Sequence, residues 1–293
     1  MNIQAVKGMA IFVWLITFGT DKHALAIDTQ PGDFIAAPPG TTGVLFYGNY
    51  GTSDGAVVNG KSISGNLDTY VGVPRVVHFF DVGGFTADMN LMLPVGSLQN
   101  ASLGGVSLGK ASGVGDLNIV GTFWFIDEPK TNRYLALAGY LSIPTGNYDP
   151  FAPLNMGANR WSGALQLGGI YGLTDRWFIE GVTDITVYGN NSNYDGFHGV
   201  MSQDPTITAQ TWLTFKATDR VNLSVGYGAY WGGAQALNGT NLGFNSEKQQ
   251  VRAAVALFVT PTFQVLGQVN HDFAVQGGFD QGFSSLIRVM QLF

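Results

Sequence analysis

The last third of the chain, residues 206–293, alternates apolar and polar side chains with a period of two. In TITAQTWLTF (206–215), the odd positions from Ile207 to Phe215 are mostly apolar, and the even positions are mostly polar. The segments VNLSVGYGAYW (221–231) and QVRAAVALFV (250–259) repeat this alternation. A period of two indicates β-strands with two unlike faces. Strands of about ten residues with one apolar and one polar face are typical of a barrel wall between lipid and a wet interior.

The whole chain, interpreted in this way, predicts about twelve strands whose connections alternate between long and short. We expect strands at 42–51, 68–80, 84–95, 114–126, 132–143, 160–171, 175–188, 206–216, 221–231, 248–259, 262–272 and 283–293. Long connections lie at 52–67, 96–113, 144–159, 189–205, 232–247 and 273–282, and the others are short. Such alternation is expected of an even-numbered, antiparallel up-and-down barrel, whereas Greek-key connections of a soluble sandwich have no reason to alternate. The sequence therefore predicts an all-β, closed transmembrane β-barrel over residues 42–293.

The second predicted strand is the exception to the regular pattern. It alternates poorly and contains Pro74. Because proline cannot donate to a β-ladder, it is found in sheets mainly at edges and bulges, and we expect a bulge at this position.

Two segments precede the predicted barrel. Residues 1–26 combine Lys7, a short apolar run and an Ala24-Leu25-Ala26 cleavage pattern, which is the organisation of a secretory signal peptide. The apolar run is too short for a membrane-spanning helix, which needs roughly 20 residues. Residues 27–41 contain three prolines and no periodicity. They form either a periplasmic lead-in, which we favour, or a segment folded into the barrel mouth.

Composition and the position of aromatic residues support a β-barrel in contact with lipid. The net charge is −6 and cysteine is absent, so neither a nucleic-acid partner, which favours a basic protein, nor disulfide cross-linking is indicated. Outward-facing aromatics lie beside the predicted short turns or the chain end at Phe85, Phe125, Tyr171, Trp177, Phe215, Phe263 and Phe293, and beside the long loops at Trp161, Trp231 and Phe283. Two such rings are expected at the two membrane interfaces.

Several segments, taken in order, resemble one family. They include DVGGFTADMNLMLPVGSL (81–98), GVGDLNIVGTFWFIDEP (113–129), LSIPTGNYD (141–149) and QDPTITAQTWL (203–213). They resemble the MetA-pathway phenol-degradation family of outer-membrane transporters, over nearly the whole chain after residue 26. The resemblance implies an outer-membrane β-barrel in a Gram-negative bacterium that takes up aromatic or other hydrophobic small molecules, and it brings no catalytic residues. The terminal SLIRVMQLF partly resembles the signal by which the barrel-assembly machinery recognises such proteins through a final aromatic residue, here Phe293; Gln291 departs from it.

Inward-facing polar side chains are the candidate pore-lining residues. They are Asp88, Asn90, Asp116, Asn118, Arg160, Glu180, Asp184, Lys216, Arg252 and Arg288. Such groups either set the selectivity of an open pore or pair with each other in a filled lumen, and a twelve-stranded barrel allows both. Inward aromatic residues could stack an aromatic solute or fill space; they are Trp124, Trp212, Tyr134, Tyr140 and Tyr230.

The sequence indicates no catalytic site, metal site or cofactor. After residue 26 the histidines are His78, His198 and His271, and their scatter, without cysteine, makes no metal-ligand spacing. His271 and Asp272 are adjacent in a strand and so point to opposite faces, which makes them a poor catalytic dyad. The first hypothesis is a passive channel or transporter for small molecules. The alternatives are an outer-membrane enzyme of the lipid-hydrolase type and a structural or adhesive barrel. The pattern does not indicate an oligomeric state.

Overall fold

A computed structural model describes residues 28–293, so the predicted signal peptide lies outside the described residues. Within this range no helix is long and apolar enough to cross a membrane. The strands are β1 (Thr42–Val58), β2 (Lys61–Val82), β3 (Phe85–Met92), β4 (Val95–Leu103), β5 (Val106–Val114), β6 (Leu117–Glu128), β7 (Arg133–Ile143), β8 (Ser162–Gly172), β9 (Trp177–Tyr188), β10 (Met201–Gln203), β11 (Thr206–Lys216), β12 (Val221–Gly232), β13 (Gln235–Leu237), β14 (Thr240–Asn241), β15 (Lys248–Thr260), β16 (Phe263–Val275), β17 (Gly278–Asp280) and β18 (Phe283–Leu292).

Twelve of these strands form one closed antiparallel sheet. They are β1, β2, β3, β6, β7, β8, β9, β11, β12, β15, β16 and β18. The first strand pairs with β2 on one side and with β18 on the other, which closes the barrel. Closure leaves no free sheet edge in the wall, so the backbone groups of the wall are paired without water. The predicted closed, all-β barrel is confirmed.

Side chains alternate between the two faces of the wall as the sequence pattern predicts. Along β9, the exposed Ile179 and Ile185 alternate with the buried Glu180 and Asp184. Aromatic rings meet on the outer face near the short turns, where the ring centroids of Phe85 and Phe123 lie 5.3 Å apart and those of Trp177 and Phe215 lie 4.7 Å apart. The wall therefore presents apolar groups to lipid and polar groups to the lumen.

The bulge expected at Pro74 is not present. Pro74 pairs with Phe46 in regular register, and the shift between β1 and β2 lies instead between Ser53 and Gly55. On its other side β2 faces the break between β3 and β4, where the Leu93 backbone N–H donates to the Pro74 carbonyl at 3.2 Å. Proline has no backbone N–H, so it cannot donate to a neighbouring strand. At the break between β3 and β4 no such donation is required of residue 74, and its carbonyl still accepts a hydrogen bond.

The long connections are largely ordered rather than irregular. Residues 52–67 continue the β1–β2 hairpin to a turn at Asn59 and Gly60, whose positive φ angles of 52° and 69° suit these residue types. Residues 96–113 contain the β4–β5 hairpin, which extends the sheet beside β2. The strands β10, β13 and β14 form a separate small sheet. A cluster of buried apolar side chains packs these loops together, and it includes Leu67, Leu98, Phe244 and Phe279.

Residues 28–41, called here the lumen segment, run from the barrel interior, where residues 28–34 bind the inner wall, to the short-turn end, where residues 38–40 are exposed. Of the two expected arrangements, the structure therefore shows the segment folded into the barrel and not the favoured periplasmic lead-in. Phe34 is buried, and its ring packs so closely on Gly168 of β8 that an added Cβ would lie 2.2 Å from it. The segment leaves the barrel at the short-turn end, where the Gly40 N–H donates to the Phe79 carbonyl at 2.8 Å. At its other end, Asp28 reaches Tyr230 in the barrel interior.

Candidate functional site

One side of the lumen binds the first residues of the lumen segment. Arg252 of β15 forms an ion pair with Asp28, with 3.3 Å between nitrogen and oxygen, and also donates to Tyr230. The Tyr230 hydroxyl donates to Asp28 at 2.6 Å, and the Trp212 indole N–H donates to the Thr29 carbonyl at 3.2 Å. These bonds give a buried guanidinium and a half-buried carboxylate the partners that they need away from water.

The same side also holds the turn of the segment. Both carboxylate oxygens of Glu180 accept from the Gly32 backbone N–H, at 3.0 and 2.9 Å. Arg288 of β18 forms an ion pair with Asp33. From the opposite side of the lumen, the Trp124 indole N–H of β6 donates to the Phe34 carbonyl at 2.9 Å. We call β9, β11, β12, β15 and β18 the segment-bearing wall, because their inward polar residues bind this piece of the same chain.

The opposite side of the lumen is separated from the segment by a narrow gap. We call β1, β2, β3, β6 and β7 the gap wall. A cavity of about 50 Å³ occupies the gap, which is room for a few water molecules. It is lined by wall residues that include Tyr47, Val73, Arg75, Asp88, Met92, Val120, Ala138 and Tyr140, and by Asp28–Gln30, Asp33 and Phe34 of the lumen segment.

Arg75 is the arginine that lines the gap, and the sequence pattern did not identify it as an inward-facing residue. Its Nε donates to Asn90 Oδ1 at 2.7 Å, and its Nη1 donates to the Tyr47 hydroxyl at 3.0 Å. Asn90 in turn donates to Asp88 at 2.7 Å. Poor alternation in the second strand hid the inward direction of Arg75, although an arginine within the apolar run VGVPRVV was a signal in itself.

A larger cavity of about 200 Å³, called here the chamber, lies at the long-loop end. It shares Asp28 and Val73 with the gap cavity. Asn118 lines it and donates to the Asp116 carbonyl at 3.0 Å. The Asp116 carboxylate accepts from the backbone N–H groups of Gly146 and Ala158, at 2.9 and 2.8 Å, and so fixes the loop that covers one side of the chamber.

The remaining predicted site residues lie at three different places. Arg160 lines the chamber from the loop before β8, where its guanidinium lies 4.7 Å from the Tyr188 ring centroid and it donates to Gln203. Asp184 is buried on β9 and accepts from Gln166 at 3.3 Å. Lys216 does not line the lumen, because it ends β11 beside the short turn, with its side chain 41% exposed and 3.6 Å from Asp219.

Some of the predicted inward aromatic residues bind the lumen segment, and another lines the gap. Trp124, Trp212 and Tyr230 bind the lumen segment through their polar atoms. Tyr140 instead lines the gap and donates to Gln166 at 2.8 Å. Tyr134 is buried on β7. Of these five residues, Tyr140 is therefore the one with a ring beside the gap.

The histidines do not form a shared site with a nucleophile. His78 contacts the Thr42 hydroxyl at 2.9 Å, and His271 contacts the Gly282 carbonyl at 2.5 Å. Asp195, near His198, accepts from the backbone N–H groups of its own loop. Across residues 28–293, no group of three or more His, Asp or Glu side chains is placed to hold a metal ion.

A closed twelve-stranded barrel with an apolar outer face, aromatic strand ends and a polar lumen defines a bacterial outer-membrane β-barrel protein. The family model described as "Putative MetA-pathway of phenol degradation" matches residues 48–285, and the chain belongs to this family. The protein is located in the outer membrane.

Two solved structures illustrate the likeness. The COG4313 outer membrane channel from Pseudomonas putida F1 is 30% identical in sequence, with 91% of this chain and 100% of that chain covered and a TM-score of 0.86. The transport unit of the autotransporter AIDA-I from Escherichia coli is 8% identical, with 97% and 98% covered and a TM-score of 0.55, which shows the fold alone. No sequence match was found among the curated proteins.

Proposed function

We propose that this protein is a passive outer-membrane channel for small molecules, and that solutes pass from the chamber into the gap beside the lumen segment. The observation that carries the proposal is that the chamber and the gap share Asp28 and Val73 as lining residues. The sequence and structural likeness to a solved outer-membrane channel supports it. No bound cofactor or energy source is needed for diffusion along such a path.

Small aromatic or hydrophobic molecules are the solutes that we propose. The gap combines the rings of Tyr47 and Tyr140 with the apolar side chains of Val73, Val120 and Met92. Aromatic side chains contact planar apolar rings favourably, and their hydroxyl groups remain available to polar substituents. The description of the family as one of phenol degradation agrees with this solute class.

The proposed pore-lining residues are those that face the chamber and the gap rather than the lumen segment. From the sequence-based set they are Asp88, Asp116, Asn118, Arg160 and Tyr140, to which the structure adds Arg75. Asn90 is buried and lines neither cavity, but it binds Arg75 and Asp88. Arg252, Arg288 and Glu180 are proposed instead to hold the lumen segment, because their polar atoms bind Asp28, Asp33 and Gly32.

A liposome-swelling series with solutes graded by size and hydrophobicity tests the proposal. Val73→Phe places a ring where the chamber meets the gap, and we expect it to slow swelling severalfold. Val225→Phe is the matched control, because Val225 is 60% exposed on the outer face of β12. Circular dichroism verifies that both variants are folded. The proposal is wrong if the unmodified protein admits no solute, or if both variants swell at the unmodified rate.

A further inference from the structure

The arginines of the lumen differ in the partners that they bind. Arg252 pairs with Asp28 and Arg288 pairs with Asp33. Arg75 has no carboxylate oxygen within the 4.0 Å of an ion pair in the part of the chain that the structure describes. The guanidinium group of Arg75 is therefore a lumen cation whose charge is not matched by a directly contacting carboxylate.

Two of the three nitrogen atoms of this guanidinium group have neutral acceptors. Asn90 Oδ1 binds Nε at 2.7 Å and the Tyr47 hydroxyl binds Nη1 at 3.0 Å. Within residues 28–293, Nη2 has no hydrogen-bond partner, and the half-buried side chain lines the gap cavity. A guanidinium group carries five N–H donors in a fixed planar arrangement. The two bonds orient the group and leave donors directed at whatever occupies the gap.

Asn90 keeps the nearby acidic group from neutralising this cation by contact. Its amide accepts from Arg75 and donates to Asp88 at 2.7 Å, so it stands between the two charges. The Asp88 carboxylate also accepts from the Thr122 backbone N–H at 3.2 Å and is 4% exposed. Asp88 is thus supplied with donors by the protein, whereas Arg75 keeps a donor free.

The remaining surface of the gap is partly polar and partly aromatic and apolar. Its carboxylates Asp28 and Asp33 are paired with Arg252 and Arg288. Tyr47 and Tyr140 contribute rings, and Val73, Val120 and Met92 contribute aliphatic groups. Arginine binds carboxylates through parallel charge-assisted hydrogen bonds that are about twice as strong as neutral ones. A molecule that joins a planar ring to a carboxylate would therefore match both parts of this surface.

We propose that Arg75 is the recognition residue of a binding site for small aromatic carboxylates in the gap. The carboxylate of the solute takes the place of water in the gap and accepts from Nη2, and its ring lies beside Tyr47 and Val73, where the gap opens to the larger chamber. This inference rests on the proposed function, because a solute reaches the gap by way of the chamber. It adds a charge preference to that function, since a neutral aromatic molecule of the same size lacks the acceptor that Arg75 binds.

Calorimetry in detergent with three probes tests the site independently of conduction. The probes are benzoate, neutral benzamide and cationic benzylammonium. We expect benzoate to bind at least about tenfold more tightly than either of the others, because a charge-assisted hydrogen bond is formed with benzoate alone. Acetate, which keeps the carboxylate and lacks the ring, should bind more weakly than benzoate.

Three variants identify the residue. Arg75→Gln should weaken benzoate binding about tenfold and leave benzamide binding unchanged. Tyr47→Phe keeps the ring and removes the hydroxyl that orients Nη1, so it should weaken benzoate binding by a smaller factor than Arg75→Gln does. If Arg75→Gln does not fold, Tyr47→Phe alone tests the site. Arg220→Gln is the control, because Arg220 is exposed in the short turn before β12. It should bind benzoate as the unmodified protein does.

The outcomes separate this inference from the proposed function. Equal binding of benzoate to the unmodified protein and to both Arg75→Gln and Tyr47→Phe overturns the site, and so does a preference for benzylammonium or the absence of benzoate binding. Planar-bilayer currents in potassium chloride are recorded on the same preparations. Benzoate binding without any current would refute the proposed channel and support the Arg75 site. A current in a protein that does not bind benzoate would support the channel and refute the Arg75 site.

Discussion

Side chains point alternately inward and outward along both the segment-bearing wall and the gap wall, but the inward arginines of the two walls bind different kinds of partner. On the first, Arg252 and Arg288 are occupied by carboxylates of the lumen segment. On the second, Arg75 binds neutral acceptors and faces a cavity. The alternation of a strand determines that a side chain points inward, but what lies opposite that side chain determines whether it is structural or available to solutes.

Charge reversal on the segment-bearing wall should have the largest effect. Arg252→Glu together with Arg288→Glu places carboxylates against Asp28 and Asp33, and breaking a buried ion pair costs about 3–5 kcal/mol. We expect the lumen segment to leave its site and the single-channel conductance to rise severalfold.

A charge-swapped double variant tests whether the rise in conductance is caused by release of the lumen segment. Arg288→Glu combined with Asp33→Arg restores an ion pair of the opposite polarity at the same position. Its conductance should return towards the unmodified level, whereas Arg288→Glu alone should remain high. If the single and the swapped variants conduct equally, Asp33 does not hold the segment in place.

A smaller change probes the packing of the segment rather than its charge. Gly168→Ala places a methyl group 2.2 Å from the Phe34 ring, and overpacking of this kind costs about 1–3 kcal/mol. We expect a lower denaturant midpoint in detergent. Gly181→Ala on β9 is the control, because nothing lies within 4 Å of its added Cβ. Equal midpoints for the two variants would show that Phe34 does not pack on β8.

The smallest effect is expected at the short-turn end of the segment-bearing wall. Lys216 belongs to the inward set by sequence parity, but its side chain forms an ion pair with the exposed Asp219 beside the turn, and a surface ion pair of this kind contributes little. Lys216→Ala should leave both the ion selectivity and the denaturant midpoint unchanged. A shifted reversal potential in planar bilayers would place this side chain on the conduction path after all.

The wall of the barrel was predictable because lipid imposes the same demand on every strand. An apolar residue must alternate with a polar one, and β9 shows this in Ile179, Glu180 and Ile185. Long and short connections added the topology. The β4–β5 hairpin was not predicted, because it lies outside the lipid and its Gly- and Ser-rich sequence carries little alternation.

The lumen segment could not be predicted, since its contacts join residues far apart in the chain. Glu180 binds Gly32 across 148 positions, and Arg288 binds Asp33 across 255 positions. No local pattern encodes such contacts, and three prolines in residues 27–41 suggested only an irregular segment. Without that segment, Arg252, Arg288 and Arg75 are equivalent inward cations, and nothing in the sequence separates the structural ones from the one that faces the gap.

Cysteine labelling of the two walls measures most directly which side of the lumen solutes use. The chain contains no cysteine, so Val73→Cys on the gap wall and Val182→Cys on the segment-bearing wall each introduce a single thiol. Both variants are placed in planar bilayers and treated with a small, charged methanethiosulfonate reagent. The current through the Val73→Cys protein should fall and that through the Val182→Cys protein should persist. Loss of current in the second variant but not in the first would contradict a path along the gap.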